Sequence, residues 1–144
     1  MGKKRIIKKS TGGVNRELKS RALSKAPKKK VSEGILRIRA TYNNTLISFT
    51  DIAGNVLTWS SAGALGFRGT RKSTPYAASK VSELIAEQAK MMGARKVGIV
   101  VNGIGAGRES AIRSFALKGF DIPYVKDVTP LPHNGPRPPK PRRV

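Results

Sequence analysis

Val97-Gly-Ile-Val-Val101 and the segment that follows it, Asn102-Gly-Ile-Gly-Ala-Gly-Arg-Glu-Ser110, decide the fold of this chain. The first segment is an uninterrupted apolar run, which is typical of a strand buried on both faces. The second carries glycine at alternate positions and leads into a helical pattern that Gly119 ends. A further strand is predicted over Ile122 to Val128. Strand, glycine loop, helix and strand within about thirty residues make one βαβ unit with parallel strands.

Three short segments rich in β-branched and aromatic residues precede this unit. They are Gly34–Thr41, Thr45–Asp51 and Val56–Ser60, and each shows partial alternation of apolar and polar residues. Such segments predict short strands. Turn-like separators lie between them, so the three strands are expected to form an antiparallel meander.

A helix is predicted between the meander and the βαβ unit. Thr74 and Pro75 suit an N-cap and a first helical residue, apolar side chains recur behind them at helical spacing, and Gly93 ends the pattern. The predicted fold is therefore α/β. It has a mixed five-stranded sheet, built from an antiparallel three-strand meander plus a βαβ unit, and two helices.

Positive charge dominates the composition. The 144 residues include 29 Lys and Arg against eight Asp and Glu, which gives a net charge of +21 and an isoelectric point near 11.3. Residues 1–32 hold twelve of these cations and one acid, and residues 130–144 hold four cations and no acid. We therefore expect a basic N-terminal extension over 1–32, an α/β core domain over 33–129, a basic proline-rich tail over 130–144, and a polyanionic partner.

The two basic arms differ in their expected conformation. Residues 1–32 have few large apolar side chains and no sustained periodicity, which predicts disorder until binding, with at most a short helical turn near Asn15 to Leu23. A solvated tail is the alternative for this arm. The C-terminal tail holds six of the nine prolines, so we expect it to run extended, with stiff segments that lower the entropic cost of binding a phosphate backbone.

Composition disfavours several other kinds of site. The chain has no cysteine and a single histidine, His133, so a disulfide framework is excluded and a zinc site nearly so. No apolar run approaches the ~18 residues that a membrane span needs. We expect no metal, no cofactor and no membrane partner.

A glycine-rich loop over residues 61–74 is the first candidate for contact with RNA. Glycine recurs every third residue from Gly63 to Gly69, which permits close backbone approach. Among and after these glycines stand an aromatic ring for base stacking and three cations for phosphate, Phe67, Arg68, Arg71 and Lys72. A nucleotide-binding phosphate loop needs glycine where Arg71 stands, so that motif fails. A plain flexible connection is the alternative.

The glycines of the βαβ unit, Gly103, Gly105 and Gly107, are the second candidate. They lie at the N-terminus of a predicted helix, whose free N–H groups favour an anion. A dinucleotide fingerprint fails because Arg108 occupies the position of its third glycine. Arg108 beside these N–H groups favours a polynucleotide phosphate. Glycines that merely permit a tight turn are the alternative.

Catalytic chemistry has little support in the sequence. General acid–base work needs paired titratable groups in a pocket. Only Asp51 and Asp127, each at the end of a predicted strand, could converge on a metal. We expect no enzymatic activity. A degenerate metal-dependent nuclease and a nucleoid-type DNA-binding protein are the rival hypotheses.

Several motifs together resemble the universal small-subunit ribosomal protein eleven family, in its bacterial or plastid form. The resemblance runs from about Gly34 to Val144. It rests on Asn43-Asn-Thr45, Gly66-Phe-Arg-Gly69 with Arg71-Lys-Ser-Thr-Pro75, Gly107-Arg-Glu-Ser110, Asp127-Val-Thr-Pro130, and His133-Asn-Gly135 with Arg137-Pro-Pro139.

This resemblance implies a ribonuclease-H-like fold without the nuclease's carboxylate cluster. It also implies a structural protein of the small ribosomal subunit that binds ribosomal RNA, bridges separate RNA helices of the platform, and contributes to the cleft holding the messenger's ribosome-binding sequence. Expected neighbours are small-subunit ribosomal proteins seven and eighteen, initiation factor three and messenger RNA, in a cytoplasmic or plastid ribosome. The residues expected to contact RNA are Asn43, Asn44, Phe67, Arg68, Gly69, Arg71, Lys72, Gly103, Gly105, Gly107, Arg108, His133, Asn134, Gly135, Arg137, Lys140, Arg142 and Arg143.

Asn134-Gly135 carries a separate chemical hypothesis. Glycine leaves the following backbone amide unhindered, so Asn134 is prone to succinimide formation and is a candidate isoaspartyl site.

Overall fold

A computed structural model describes residues 16–24 and 29–140 of the chain. The predicted disorder of the N-terminal arm falls largely on residues 1–15 and 25–28, which lie outside the described residues. Arg142 and Arg143 also lie outside them.

Five strands form one mixed sheet in the order β3-β2-β1-β4-β5. The strands are β1 (Glu33–Ala40), β2 (Thr45–Thr50), β3 (Val56–Ser61), β4 (Lys96–Asn102) and β5 (Val125–Asp127). Strand β2 pairs antiparallel with both β1 and β3, whereas β4 pairs parallel with both β1 and β5. The predicted α/β fold, with a mixed five-stranded sheet built from an antiparallel meander and a βαβ unit, is confirmed.

The first predicted helix begins and ends where its capping residues indicated, and the second ends before Gly119, as predicted. Helix α2 (Pro75–Met91) has Thr74 as its N-cap, and the Thr74 hydroxyl accepts a hydrogen bond from the Ala77 N–H at 3.3 Å. Helix α3 (Gly107–Ala116) joins β4 to β5. Gly119 follows it with a positive φ of 79°, the left-handed conformation that favours glycine after a helix.

Helices α2 and α3 cover the same face of the sheet. Along the central strand β1, Leu36, Ile38 and Ala40 are buried, while Arg37 and Arg39 between them are exposed. The Ser82 hydroxyl of α2 donates a 2.7 Å hydrogen bond to the Ala111 carbonyl of α3, so a buried polar group in the helix–helix contact is satisfied. The core therefore lies on one side of the sheet.

A third helix, α1 (Arg16–Ser24), is longer than the single turn expected near Asn15 to Leu23. It packs against α2 through Gln88, whose side chain is only 4% exposed. The Gln88 amide donates to the Ala22 carbonyl at 2.9 Å and accepts from the Thr58 hydroxyl at 2.6 Å. This part of the N-terminal extension is therefore anchored to the core by a tertiary contact.

Strand β5 is shorter than the predicted strand over Ile122 to Val128. The Val97 N–H donates to the Asp121 carbonyl, and the Ile99 N–H donates to the Tyr124 carbonyl. A step of two residues along β4 therefore corresponds to a step of three residues along the segment before β5. One extra residue must therefore bulge out beside Pro123, which has no N–H to donate. Regular pairing begins only at Val125, and the longer prediction was wrong.

Candidate nucleic-acid interface

The predicted RNA-contacting segments meet at one edge of the sheet. Strands β1, β3, β4 and β5 run in the same direction, because β2 is antiparallel to its two neighbours and the remaining pairs are parallel. The segments after these four strands therefore leave the sheet at a common edge, which we call the carboxyl edge. They are the turn at residues 41–44, the arginine loop at residues 62–74, the glycine loop at residues 103–107, and the tail from residue 130.

The turn at residues 41–44 is held by the Thr41 side chain. The Thr41 hydroxyl donates to the Asn44 carbonyl at 3.0 Å, and the Asn44 N–H donates to the same hydroxyl at 3.1 Å. Asn43 at the tip is exposed, while the side-chain oxygens of Asn44 and Thr45 are buried without a hydrogen-bond partner. Asn43 is thus the accessible amide of the pair that the sequence singled out.

The arginine loop is an ordered structure that points its cations outward. Leu65 and Phe67 are buried, and the Phe67 N–H donates to the Ala62 carbonyl at 3.2 Å. A 3-10 helix over Gly69–Ser73 follows, in which Arg71 is exposed and Lys72 is half-buried, and Arg68 just before it is exposed. The alternative of a plain flexible connection does not fit this arrangement.

Phe67 has a different environment from the one expected for a base-stacking ring. Its side chain is only 6% exposed, and its ring meets Tyr76 edge-to-face with the centroids 6.0 Å apart. Phe67 therefore anchors the arginine loop to the core. Tyr76, which the sequence analysis did not single out, is the exposed ring of the pair.

The glycine loop is pressed against the end of β1. A Cβ atom added at Gly103 would lie 3.0 Å from the Ala40 carbonyl carbon and closer still to its oxygen, and one at Gly105 would lie 2.9 Å from that carbon. At Gly107 an added Cβ would be 2.6 Å from the Thr45 hydroxyl. Gly103 also has a positive φ of 95°. These glycines are required by close packing against neighbouring backbone and side chains, a reason that the tight-turn alternative did not include.

Arg108 is turned back onto the protein rather than outward. Its guanidinium donates to the Gly103 carbonyl at 2.6 Å and forms a short ion pair with the Asp127 carboxylate. It therefore ties the glycine loop to the end of β5. The sequence suggested that Arg108 is free to bind a phosphate. In this structure Arg108 instead positions the glycine loop and the end of β5.

Asp127 is the acceptor that organises this corner. Its other carboxylate oxygen accepts from the Thr129 N–H at 2.9 Å and from the Thr129 hydroxyl at 2.6 Å. The hydrogen bond from the Thr129 hydroxyl, followed by those from Arg108 and from the Thr129 N–H, lowers the pKa of Asp127 from 3.8 to about 2. The Thr129 hydroxyl in turn accepts from the Gly103 N–H at 3.1 Å. The carboxylate thus fixes the point at which the tail leaves the core.

Asp51 lies at the opposite edge of the sheet from Asp127. It directly follows β2, which runs opposite to the other strands, and its carboxylate accepts from the Asn55 backbone and side chain at 2.8 and 3.0 Å. The Asn55 side-chain hydrogen bond is the main cause of its lowered pKa. The two carboxylates therefore cannot bind one metal ion. Within residues 16–24 and 29–140 there is no group of three or more His, Cys, Asp or Glu that could hold one.

The tail is exposed over its whole described length. All residues from Pro130 to Lys140 are exposed, and a turn forms at His133 and Asn134, where Asn134 has a positive φ of 51°. The predicted contact residues in this segment, including Arg137 and Lys140, therefore point away from a packed core. Among the described residues, no helix is long and apolar enough to cross a membrane.

Sequence reasoning missed the contacts that hold the interface together. The pairing of Arg108 with Asp127 joins residues 19 positions apart, and no local pattern reveals it. The Asp127-Val-Thr129 spacing did contain a signal, since an aspartate commonly accepts from the backbone two residues later.

These features define a class of protein. A basic α/β core that presents cations on ordered loops at one edge, and on an exposed proline-rich tail, is suited to bind a folded polyanion by its phosphate backbone.

The family model for ribosomal protein S11 matches residues 34–143. The chain therefore belongs to the ribosomal protein S11 family. As a member it is a structural protein of the small ribosomal subunit that binds ribosomal RNA and serves translation, in a ribosome of the cytoplasm or of a plastid.

Proposed function

We propose that this protein bridges separate helices of ribosomal RNA on the platform of the small subunit and has no catalytic role. One contact is made by the carboxyl edge and another by the tail. The proposal divides the chain into an N-terminal extension over 1–32, a core over 33–129 and a tail over 130–144. In this division, the core sets the directions in which the extension and the tail leave it.

The observation that carries the proposal is the point at which the tail leaves the core. Thr129 is held by Asp127 at the carboxyl edge, and every described residue beyond it is exposed. At ~3.3 Å per residue, the eleven residues from 130 to 140 can reach roughly 35 Å from that edge. That distance exceeds the diameter of one RNA helix, so the tail can contact a second helix while the edge contacts the first.

The proposed RNA contacts divide into residues that touch RNA and residues that position them. Exposed side chains such as Asn43, Arg68, Arg71, Arg137 and Lys140 are placed to touch RNA. Buried Phe67, ion-paired Arg108 and the tightly packed glycines hold the loops in position. The remaining members of the predicted set, Asn44, Gly69, Lys72, His133, Asn134, Gly135, Arg142 and Arg143, are assigned to the RNA contact on the family resemblance.

The neighbours in this proposal are those that the resemblance implies. The bridged RNA contributes to the cleft that holds the messenger's ribosome-binding sequence. Small-subunit ribosomal proteins seven and eighteen lie beside the protein, and initiation factor three binds in the same region.

Deletion of residues 130–144 tests the bridge. The retained chain keeps Asp127 and Thr129, so its unfolding midpoint should be unchanged, while its affinity for small-subunit RNA should fall by at least a hundredfold because the second of two linked contacts is lost. A control variant keeps the tail at full length but has its four cations changed to Gln, at Arg137, Lys140, Arg142 and Arg143. This variant separates the effect of the tail's charge on RNA affinity from the effect of its length.

Sedimentation of these variants through a sucrose gradient gives the readout. The full chain should remain with small subunits through a moderate salt wash, and both tail variants should be released. A truncated core that melts, or one that binds as tightly as the full chain, contradicts the proposal. Migration with DNA would favour a nucleoid-type protein.

A further inference from the structure

The face of the sheet opposite α2 and α3, here called the open face, carries cations at its centre. Arg37 and Arg39 are exposed although β1 is the central strand of the five. An exposed central strand is unusual in an α/β protein, because helices commonly cover both faces of the sheet. Within residues 16–24 and 29–140, no helix covers the open face, which is therefore available to a partner.

Strand register places the side chains of the open face in transverse rows. Trp59 pairs with Ser48, Ser48 with Arg37, Arg37 with Val100, and Val100 with Lys126, so one row runs from Trp59 on β3 to Lys126 on β5.

A second row, two residues nearer the carboxyl edge, contains Arg39 and Asn102. On the other side of the first row, Tyr124 lies over Gly98, since a Cβ added there would collide with the Tyr124 ring.

The open face is positively charged in the region of the first two rows. Arg37, Arg39 and Lys126 lie in the first two rows, and all three are exposed. The acids of this face, Glu33 and Asp121, lie at the opposite end beside Lys96, which reaches the Glu33 carboxylate at 3.9 Å. Among the residues that the structure describes, no acid lies beside these three cations on the open face, so they are complementary to a polyanion.

Two exposed aromatic rings flank these cations. Trp59 is 61% exposed on the edge strand β3, and Tyr124 is 45% exposed beside β4. Tyr124 lies over Gly98 of β4, three strand spacings of ~4.8 Å from β3, so the two rings are roughly 14 Å apart across the sheet. Sheets that display aromatic rings among cations bind unpaired RNA, because bases stack on the rings while the cations contact phosphates.

We propose that the open face binds a short unpaired segment of RNA, with bases stacked on Trp59 and Tyr124 and phosphates on Arg37, Arg39 and Lys126. This inference rests on the proposed RNA-binding function, and it adds a base-stacking surface distinct from the carboxyl edge and the tail. The three cations of the first two rows favour RNA over a protein partner, because their positive charge is complementary to a phosphate backbone.

Trp59 is the only tryptophan of the chain, so its fluorescence reports this face alone. The full chain is titrated with a uridine octamer, and Trp59 emission is compared with the anisotropy of a labelled octamer. Stacking should quench the emission along the same curve as the anisotropy. Trp59→Leu should weaken binding of the labelled octamer by about tenfold, as measured by its anisotropy.

Two charge-matched double variants locate the contact. Arg37→Gln with Lys126→Gln removes two cations of the open face. The affinity is measured by Trp59 quenching at several salt concentrations, and the slope of its logarithm against the logarithm of the salt concentration should become about 1.4 less steep. Arg113→Gln with Lys118→Gln removes the same charge from the region of α3 and should leave that slope unchanged.

Three outcomes would overturn the inference. They are unchanged Trp59 emission at saturating octamer, equal effects of the two double variants, and ultraviolet cross-links of Trp59 to a protein rather than to nucleotides in assembled subunits. In each case, the anisotropy of the labelled octamer and sedimentation with small subunits would still report whether the proposed function stands.

Discussion

Replacement of Gly103 by alanine tests the claim that the glycine loop is built for close packing. The positive φ of 95° alone costs a non-glycine residue roughly 1–2 kcal/mol. The added methyl group would also press on the Ala40 carbonyl, and overpacking of this kind costs typically about 1–3 kcal/mol. We therefore expect Gly103→Ala to lower the free energy of unfolding by about 2–5 kcal/mol.

Gly93→Ala is the matched control for this prediction. Gly93 has a similar φ of 83°, but no atom lies within 4 Å of a Cβ added there. It should lose only the roughly 1–2 kcal/mol that the backbone conformation costs. Guanidinium unfolding followed by Trp59 fluorescence measures both variants. Equal losses at the two positions would refute the reasoning, because the contact with β1 would then contribute nothing.

Three other predictions follow from named contacts. Asp127→Asn should destabilise the protein at pH 7 but not at pH 2: the pKa of Asp127 is lowered from 3.8 to about 2, so its stabilisation is present above pH 4 and is lost as the pH falls toward 2. Equal differences in unfolding midpoint at both pH values would contradict it. Gln88→Ala should cost about 2 kcal/mol in guanidinium unfolding, because the Thr58 hydroxyl and the Ala22 carbonyl lose their partner, whereas Lys19→Ala should cost less than about 1. Peptide mapping of aged protein should find isoaspartate at residue 134, and only asparagine there would remove that hypothesis.

Local patterns predicted most of the fold. The apolar run of β4, the turn residues of the meander, and Thr74-Pro75 before α2 are each local signals that span a few residues, and the structure agrees with all three. The end of the chain was less predictable. Apolar residues on both sides of Pro123 suggested one continuous strand, but the missing N–H at proline interrupts its pairing with β4.

The candidate site was predictable in its residues but not in their roles. Phe67 stands among glycines and cations, so its sequence environment suggested exposure, yet long-range packing against the core buries it. Arg108 also seemed free, because its partner Asp127 belongs to another element. The docking of α1 depends on Gln88, 66 residues from Ala22. Contacts of this range leave no periodic trace in the sequence.

Hydroxyl-radical footprinting of small-subunit RNA tests the proposed bridge most directly. Subunits are assembled with the full chain, with the chain lacking residues 130–144, or with Arg68→Gln and Arg71→Gln together. The account predicts that the full chain protects two RNA segments that belong to different helices, that the tail deletion exposes one of them, and that the loop variant exposes the other. Protection of a single helix, or loss of the same segment in both variants, would contradict it.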